Sequence, residues 1–128
     1  MAEGVGIDLV SVKRFRELHS RYGERFLRKL FPEGVEYCFK KRRGELYGCL
    51  AARFALKEAA VKALSQAGFT VSIGKVRVRG GGRELRLEVE GLEGVELLPS
   101  ISHEREFAVA VVLVKAKHQG GDGQTTGR

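Results

Sequence analysis

The chain has little of what several function classes require. Among its 128 residues are two cysteines, Cys38 and Cys49, without CxxC spacing. Both read as packing residues of a reduced, cytoplasmic protein. No HxH or HxxxH pair supports a zinc site. No apolar run approaches the length that crosses a bilayer, and the N-terminus lacks a basic-then-apolar leader, so neither a membrane nor export is indicated. Ser102 and His103 have no obvious acidic third member that would make a hydrolase triad. Repeats, heptads and a second domain are also missing. Residues 1–116 therefore read as one domain with its own core. The remainder, 117–128 (KHQGGDGQTTGR), has nothing to pack and is expected to be a disordered tail.

What the chain does have is positive charge. Its 23 Lys and Arg outweigh 16 Asp and Glu, a formal +7, which implies an anionic partner. Nucleic acid, an acidic protein and a phosphorylated small molecule all fit. The compact cluster Lys40–Arg43 (KKRR) favours a small nucleic-acid-binding domain. The absence of interleaved exposed aromatics and of any recognised binding motif weighs against it.

The organising segment is Leu46–Leu64, LYGCLAARFALKEAAVKAL, whose Ala, Leu and Lys content favours a helix. At about 100° per residue, Leu46, Leu50, Phe54, Val61 and Leu64 share one face. Ala52, Ala55, Ala59 and Ala63 line the opposite one, where small side chains permit close approach. A helix apolar or small nearly all round is usually buried. Yet Arg53, Lys57, Glu58 and Lys62 lie within it, and buried charges are costly unless paired or bound to something charged. The plain reading of Glu58 and Lys62 is an i,i+4 ion pair of a few tenths of a kcal/mol. A functional reading needs a second carboxylate from elsewhere.

Val5–Val10 reads as a short strand, with Val5, Ile7 and Leu9 on one face and Asp8 on the other beside Gly6 and Val10. Asp is depleted in strands, so Asp8 either marks a strand end satisfied by backbone donors or supplies that carboxylate. Ser11 caps a helix from Val12 to about Tyr22, decorated by Lys13, Arg14, Arg16, Arg21 and Arg25. Its basic face is dense enough to suggest a docking surface for an acidic partner. Phe26–Phe31 forms a further helical turn that Pro32 interrupts, and Glu33–Phe39 resumes as a helix. Gly68 stops the central helix. Ile73–Arg79 and Glu84–Glu90 alternate around Gly80-Gly81-Gly82 as a hairpin with one wet face. Phe107–Val114 (FAVAVVLV), apolar on both faces, is expected to be a central, buried strand. The fold class is α+β, a small antiparallel sheet packed with a long central helix.

Together, GIDLVSVKRF (Gly6–Phe15), LAARFALKEAAVKAL (Leu50–Leu64) and SISHE (Ser100–Glu104) resemble the holo-acyl-carrier-protein synthases, the small single-repeat 4′-phosphopantetheinyl transferases. The resemblance implies their fold and the transfer of 4′-phosphopantetheine from coenzyme A to a serine of an acyl carrier protein, with Mg2+, in support of fatty acid biosynthesis. It also implies a homotrimer with active sites between subunits. By matching positions, Asp8 and Glu58 resemble the metal carboxylates, with Glu58 and Lys62 the catalytic pair. Lys62 corresponds to the lysine on the transferring phosphate. Arg53 and His103, with Ser102 beside them, correspond to positions that recognise coenzyme A. Arg14, and with it Arg21, sits on the helix that this family presents to the carrier. A non-catalytic descendant of the family would be expected to lose a carboxylate or Lys62, and neither is lost. The chain departs from the family at Phe31–Cys38, where a threonine is missing and either Glu33 or Glu36 fills the glutamate position. The loop Ser65–Gly68 is reduced, and the usual GxP element reads Gly82-Arg83-Glu84.

Overall fold

The computed structural model describes residues 3–40 and 46–117. Most of the basic run Lys40–Arg43, and all but the first residue of the expected tail 117–128, lie outside the described residues. The long helix α3 runs from Leu46 to Gln66. Its alanine face is closed completely, with Ala52, Ala55, Ala59 and Ala63 at 0% exposure. Against that face lies strand β1, Gly4–Ser11. The approach leaves no room for side chains: a Cβ on Gly6 would stand 2.0 Å from Ala59 O, and one on Gly4 2.1 Å from Ala63 O. Two glycines facing small residues thus let a strand backbone lie directly on a helix backbone. On the helix's other side Leu50 and Leu64 are fully buried, while Phe54 and Val61 are half-buried.

The main sheet is antiparallel, in the order β1-β5-β4, with β5 at Phe107–Ala116 and β4 at Val95–His103. The register sets Asp8 opposite Ala110, and Ala110 opposite Ile101. Strand β5 is central as expected, but it is buried on one face only. Ala108, Ala110, Val112 and Val114 point into the core, while Phe107 and Leu113 are 44% and 49% exposed. An apolar alternation says that both faces shun water and not what covers the second. Here the outer face carries Val5, Ile7 and Leu9 from β1, Leu113 from β5 and Leu98 from β4, all exposed. Strand β4 was not foreseen as a strand because Pro99 interrupts its pattern. It lies at the sheet edge, where proline is tolerated.

A second, two-stranded sheet pairs β2 (Val76–Arg79) with β3 (Arg86–Val89). The sequence reading extended both strands into what are single 3-10 turns, Ile73–Lys75 and Gly82–Glu84. Val76, Val78 and Leu87 join the core with Leu56, Ala60 and Leu64 of α3. Helix α1 spans Val12–Leu30, capped by Ser11, whose hydroxyl accepts from Arg14 N–H at 3.1 Å. It breaks at Gly23, where φ is 73° and ψ is −163°, a conformation that favours glycine. The two stretches match the helix and the further turn expected on either side. Helix α2 is a single turn, Glu36–Phe39, shorter than the Glu33–Phe39 expected, because Glu33 turns inward to an ion pair.

The cysteine expectation is corrected. Cys38 of α2 and Cys49 of α3 are joined in a disulfide, with Cα atoms 5.5 Å apart. Both are buried, so the packing role stands. A spacing of 11 residues outside any motif could not reveal that α2 folds onto the first turns of α3 at bonding distance.

Gly6→Ala is expected to lower stability by about 1–3 kcal/mol, the usual cost of overpacking, because the new methyl meets backbone that cannot rotate away. Gly74, which has nothing within 4 Å of a built Cβ, serves as the control. Urea denaturation of the two alanine variants should separate them clearly.

Candidate active site

Helix α3 presents its charges on two sides. Lys57 follows Arg53 by four residues, about one turn, and Lys62 follows Glu58 likewise, so the two pairs occupy different faces.

On the β1 side, the Lys62 ammonium donates to Asp8 Oδ1 at 3.1 Å and to Ile7 O at 3.1 Å. The Asp8 side chain is 19% exposed and that of Lys62 56%. Glu58 lies close enough to feel both. Burial pushes its carboxyl above the usual range, the Asp8 charge pushes it further, and Lys62 pulls it back. Two acidic groups that repel one another at the mouth of a helix–strand contact, with one exposed ammonium beside them, form a site that favours added positive charge. The simple i,i+4 reading is therefore incomplete, because the lysine reaches across to the strand.

On the β2 side, the charges face inward. Arg53, 4% exposed, donates through Nη1 to Gly80 O at 3.0 Å and through Nη2 to Val78 O at 3.1 Å. Its guanidinium also lies 5.2 Å from the Tyr37 ring centroid, and its Nε is buried without a hydrogen-bond partner. Lys57 has no exposure at all; it donates to Glu33 Oε1 at 3.1 Å and to Val76 O. Glu33 Oε2 in turn accepts from Val78 N–H at 2.9 Å. Burial lowers the proton affinity of both cations, and the Glu33 carboxylate opposes it in each case. This network ties β2 and the glycine turn after it to α3.

A cavity of about 420 Å³ opens beside that turn, walled by Tyr37, Arg53, Gly81, Arg83, Ser100 and His103 among others. His103 seats its ring against Gly48, where a Cβ would stand 2.7 Å from Nδ1. Of the residues expected in the site, the structure thus brings together Asp8, Glu58 and Lys62 in one place, and Arg53 with His103 in another. Ser102 is exposed and is not part of the cavity wall; as the strand neighbour of His103 it points the other way, on the row with Leu9 and Val109. Of the two acids at Phe31–Cys38, Glu33 is the buried partner of Lys57, while Glu36 folds over Gly34. Sequence reasoning flagged Lys57 as a charge in need of a partner but had no signal for which acid would supply it. The wall residue Tyr37 was likewise seen only as part of the expected helix Glu33–Phe39.

Residues 4–112 match the 4′-phosphopantetheinyl transferase superfamily. The chain is 40% identical over 116 residues to the holo-[acyl-carrier-protein] synthase of Thermodesulfovibrio yellowstonii, covering 89% of this chain and 99% of that one. Among solved structures it is similar to the ACPS–CoA complex of Chronobacterium ammoniagenes, with a TM-score of 0.71, 30% identity and coverage of 92% and 100%. It is similar too to the Helicobacter pylori holo-[acyl-carrier-protein] synthase in complex with coenzyme A, at TM-score 0.70 and 30% identity, covering 87% and 99%.

Lys57→Met would leave the Glu33 carboxylate buried with one backbone donor, an arrangement that costs about 3–5 kcal/mol when a buried pair is broken. Adding Glu33→Met is expected to recover part of that loss, since no uncompensated charge then remains. Chemical denaturation of the two variants, with the double variant more stable than the single, checks this.

Proposed function

The chain belongs to the 4′-phosphopantetheinyl transferase superfamily, among its holo-[acyl-carrier-protein] synthases, and from that premise we propose that it transfers 4′-phosphopantetheine from coenzyme A to a serine of an apo-acyl carrier protein in support of fatty acid biosynthesis. The observation that carries the mechanism is the Asp8–Glu58 pair with Lys62 beside it. In the reaction the serine oxygen forms a bond to the phosphorus nearer the pantetheine, the bond to the bridging pyrophosphate oxygen breaks, and 3′,5′-ADP leaves. Phosphoryl transfer depends mainly on positioning and charge neutralisation.

Two carboxylates suit Mg2+, which commonly takes one or two and completes its shell with water and substrate phosphate. Asp8 and Glu58 would hold it, and when bound it supplies further neutralisation of the phosphate charge. Lys62, exposed and already near Asp8, neutralises the transferring phosphate. Glu58, its proton affinity raised by burial and by Asp8, is suited to receive the serine proton directly or through a water.

The finer reading is that each site is shared in a homotrimer. The carboxylate set and the Arg53–His103 cavity lie on different sides of α3, and the outer sheet face exposes Val5, Ile7, Leu9, Leu98 and Leu113. A face that apolar calls for cover, and a head-to-tail ring would repeat one cleft at each interface. In that arrangement Asp8, Glu58 and Lys62 come from one subunit. His103, with Arg53 behind it, addresses the same coenzyme A from the next, with Ser102 beside it on the outer face of β4. Two Arg53 nitrogens are engaged by backbone carbonyls, so its effect on a bound phosphate is chiefly through its charge. The carrier, acidic by this reading, docks on α1 near Arg14 and Arg21, both exposed. Cytoplasmic location belongs to the same proposal; among the described residues no helix is long and apolar enough to cross a membrane.

Transfer of the pantetheine group from labelled coenzyme A to an apo-carrier tests the activity directly. Asp8→Ala and His103→Ala should each lose most activity alone. Unfolded and refolded together in equal amounts, they should regain it at about a quarter of the interfaces, where an intact half meets an intact half by chance. Mixed assemblies without recovery would place both residues in one subunit's site.

Rim charges steer association. Arg14→Glu with Arg21→Glu should therefore raise the KM for the carrier severalfold, leave that for coenzyme A unchanged, and reduce the salt sensitivity of the wild-type reaction. A shift in the coenzyme A constant instead would assign this face to the nucleotide.

A further inference from the structure

The basic helix α1 is two pieces joined at a glycine, and its charges fall on both. Lys13, Arg14, Arg16 and Arg21 precede Gly23, while Arg25 and Arg28 follow it. A residue at φ 73° and ψ −163° breaks the regular helix, and side chains on both sides brace the angle between the pieces. On the buried side Phe15 meets Phe26 across the break, with ring centroids 5.8 Å apart. On the other side stands a polar junction. His19 Nδ1 lies 2.7 Å from the Tyr47 hydroxyl at the start of α3, and His19 Nε2 lies 2.9 Å from Glu24 Oε2, just past the break.

The chemistry of the junction is complete. A carboxylate only accepts, so Nε2–H donates to Glu24, and in the neutral ring Nδ1 accepts from the Tyr47 hydroxyl. The His19 side chain is 13% exposed and that of Glu24 65%. Arg16 lies with its guanidinium carbon 5.3 Å from the centroid of the same Tyr47 ring. One imidazole thus links the first piece of α1, the second piece and α3, and nothing in the transfer chemistry uses it.

We infer that His19 is a positioning residue for the carrier protein: it clasps the two halves of α1 at a fixed angle, so that the basic residues before and after Gly23 engage one acidic surface together. This rests on the proposed docking of the carrier on α1. Recognition spread over two rigid pieces requires that they be pre-set, since each freed joint must be ordered on binding. Glu24 serves the clasp even though its charge opposes the basic surface, which accounts for an acid among so many arginines.

The test uses the full chain with coenzyme A and apo-carrier. His19→Ala is expected to raise the KM for the carrier about fivefold, the size of one net hydrogen bond. The KM for coenzyme A and kcat should stay unchanged. The dependence of the carrier KM on ionic strength should flatten, because fewer of the basic groups then act at once. His19→Gln, whose amide can accept from Tyr47 and donate to Glu24, should restore most of the loss. Tyr47→Phe removes only the hydroxyl, keeps the ring under Arg16, and should give a smaller shift in the same constant; it keeps the test decisive should His19→Ala fold poorly. An unchanged carrier KM in both variants, or equal rises in both KM values, overturns the clasp. If Arg14→Glu with Arg21→Glu raises the carrier KM while these variants do not, the docking reading stands and the clasp alone falls. If none of them raises it, the docking reading falls and takes the clasp with it.

Discussion

Backbone-to-backbone contact between β1 and α3 is the constraint from which the rest of the fold follows. It exists because Gly4 and Gly6 have no side chains and Ala59 and Ala63 have the smallest. Residues of alternating direction on a strand then have sharply different fates. Those facing the helix must vanish, and the one that follows Gly6 in that row, Asp8, is carried to the helix flank beside Glu58 and Lys62. A carboxylate in an apolar strand is out of place on propensity alone; the glycines before it bring it within reach of its partners. The same contact drives Val5, Ile7 and Leu9 outward, so the apolar outer face is a consequence of the close inner one.

The second set of buried charges follows a different logic. Arg53 and Lys57 cap carbonyls at Val76, Val78 and Gly80 on a short strand whose other edge is taken by β3. A strand lying across a helix leaves such carbonyls without sheet partners, and a buried unpaired carbonyl is costly. Two long cationic side chains can reach where backbone cannot. Glu33 balances the charge and takes the Val78 N–H besides. Replacing this network with hydrocarbon would strand the carbonyls again, so the charges belong to the architecture of the cavity wall.

Much of this was legible in the sequence where local pattern and tertiary role coincide. The extent of α3, its alanine face, the Ser11 cap and the interruption between Tyr22 and Phe26 are local signals, and all are in the structure. The proximity of Asp8, Glu58 and Lys62 was suggested by motif resemblance and is present as geometry. What was illegible depends on contacts distant in sequence. The pairing of Lys57 with Glu33 joins residues 24 apart, and no periodicity encodes it. The Cys38–Cys49 bond needs the docking of α2. The wet outer face of β5 looks in sequence like a buried one, because alternation says that both faces are apolar and not whether the second is covered.

The division of α3 into two charged sides bears on the proposal that two copies share a site. The helix must be buried nearly all round to hold β1 on one flank and β2 on another. By the proposed function, a substrate carrying three phosphates would need positive charge spread along its length. The exposed ammonium of Lys62 and the carboxylates Asp8 and Glu58 lie on one side of α3, while His103 and Arg83 line the cavity on another. In the proposed shared site a second copy would supply the other side, and the apolar sheet face would stay exposed until the copies meet. Assembly and the completion of the site would then be one event, since the burial of Val5, Ile7, Leu98 and Leu113 supplies the driving force that brings the two halves together.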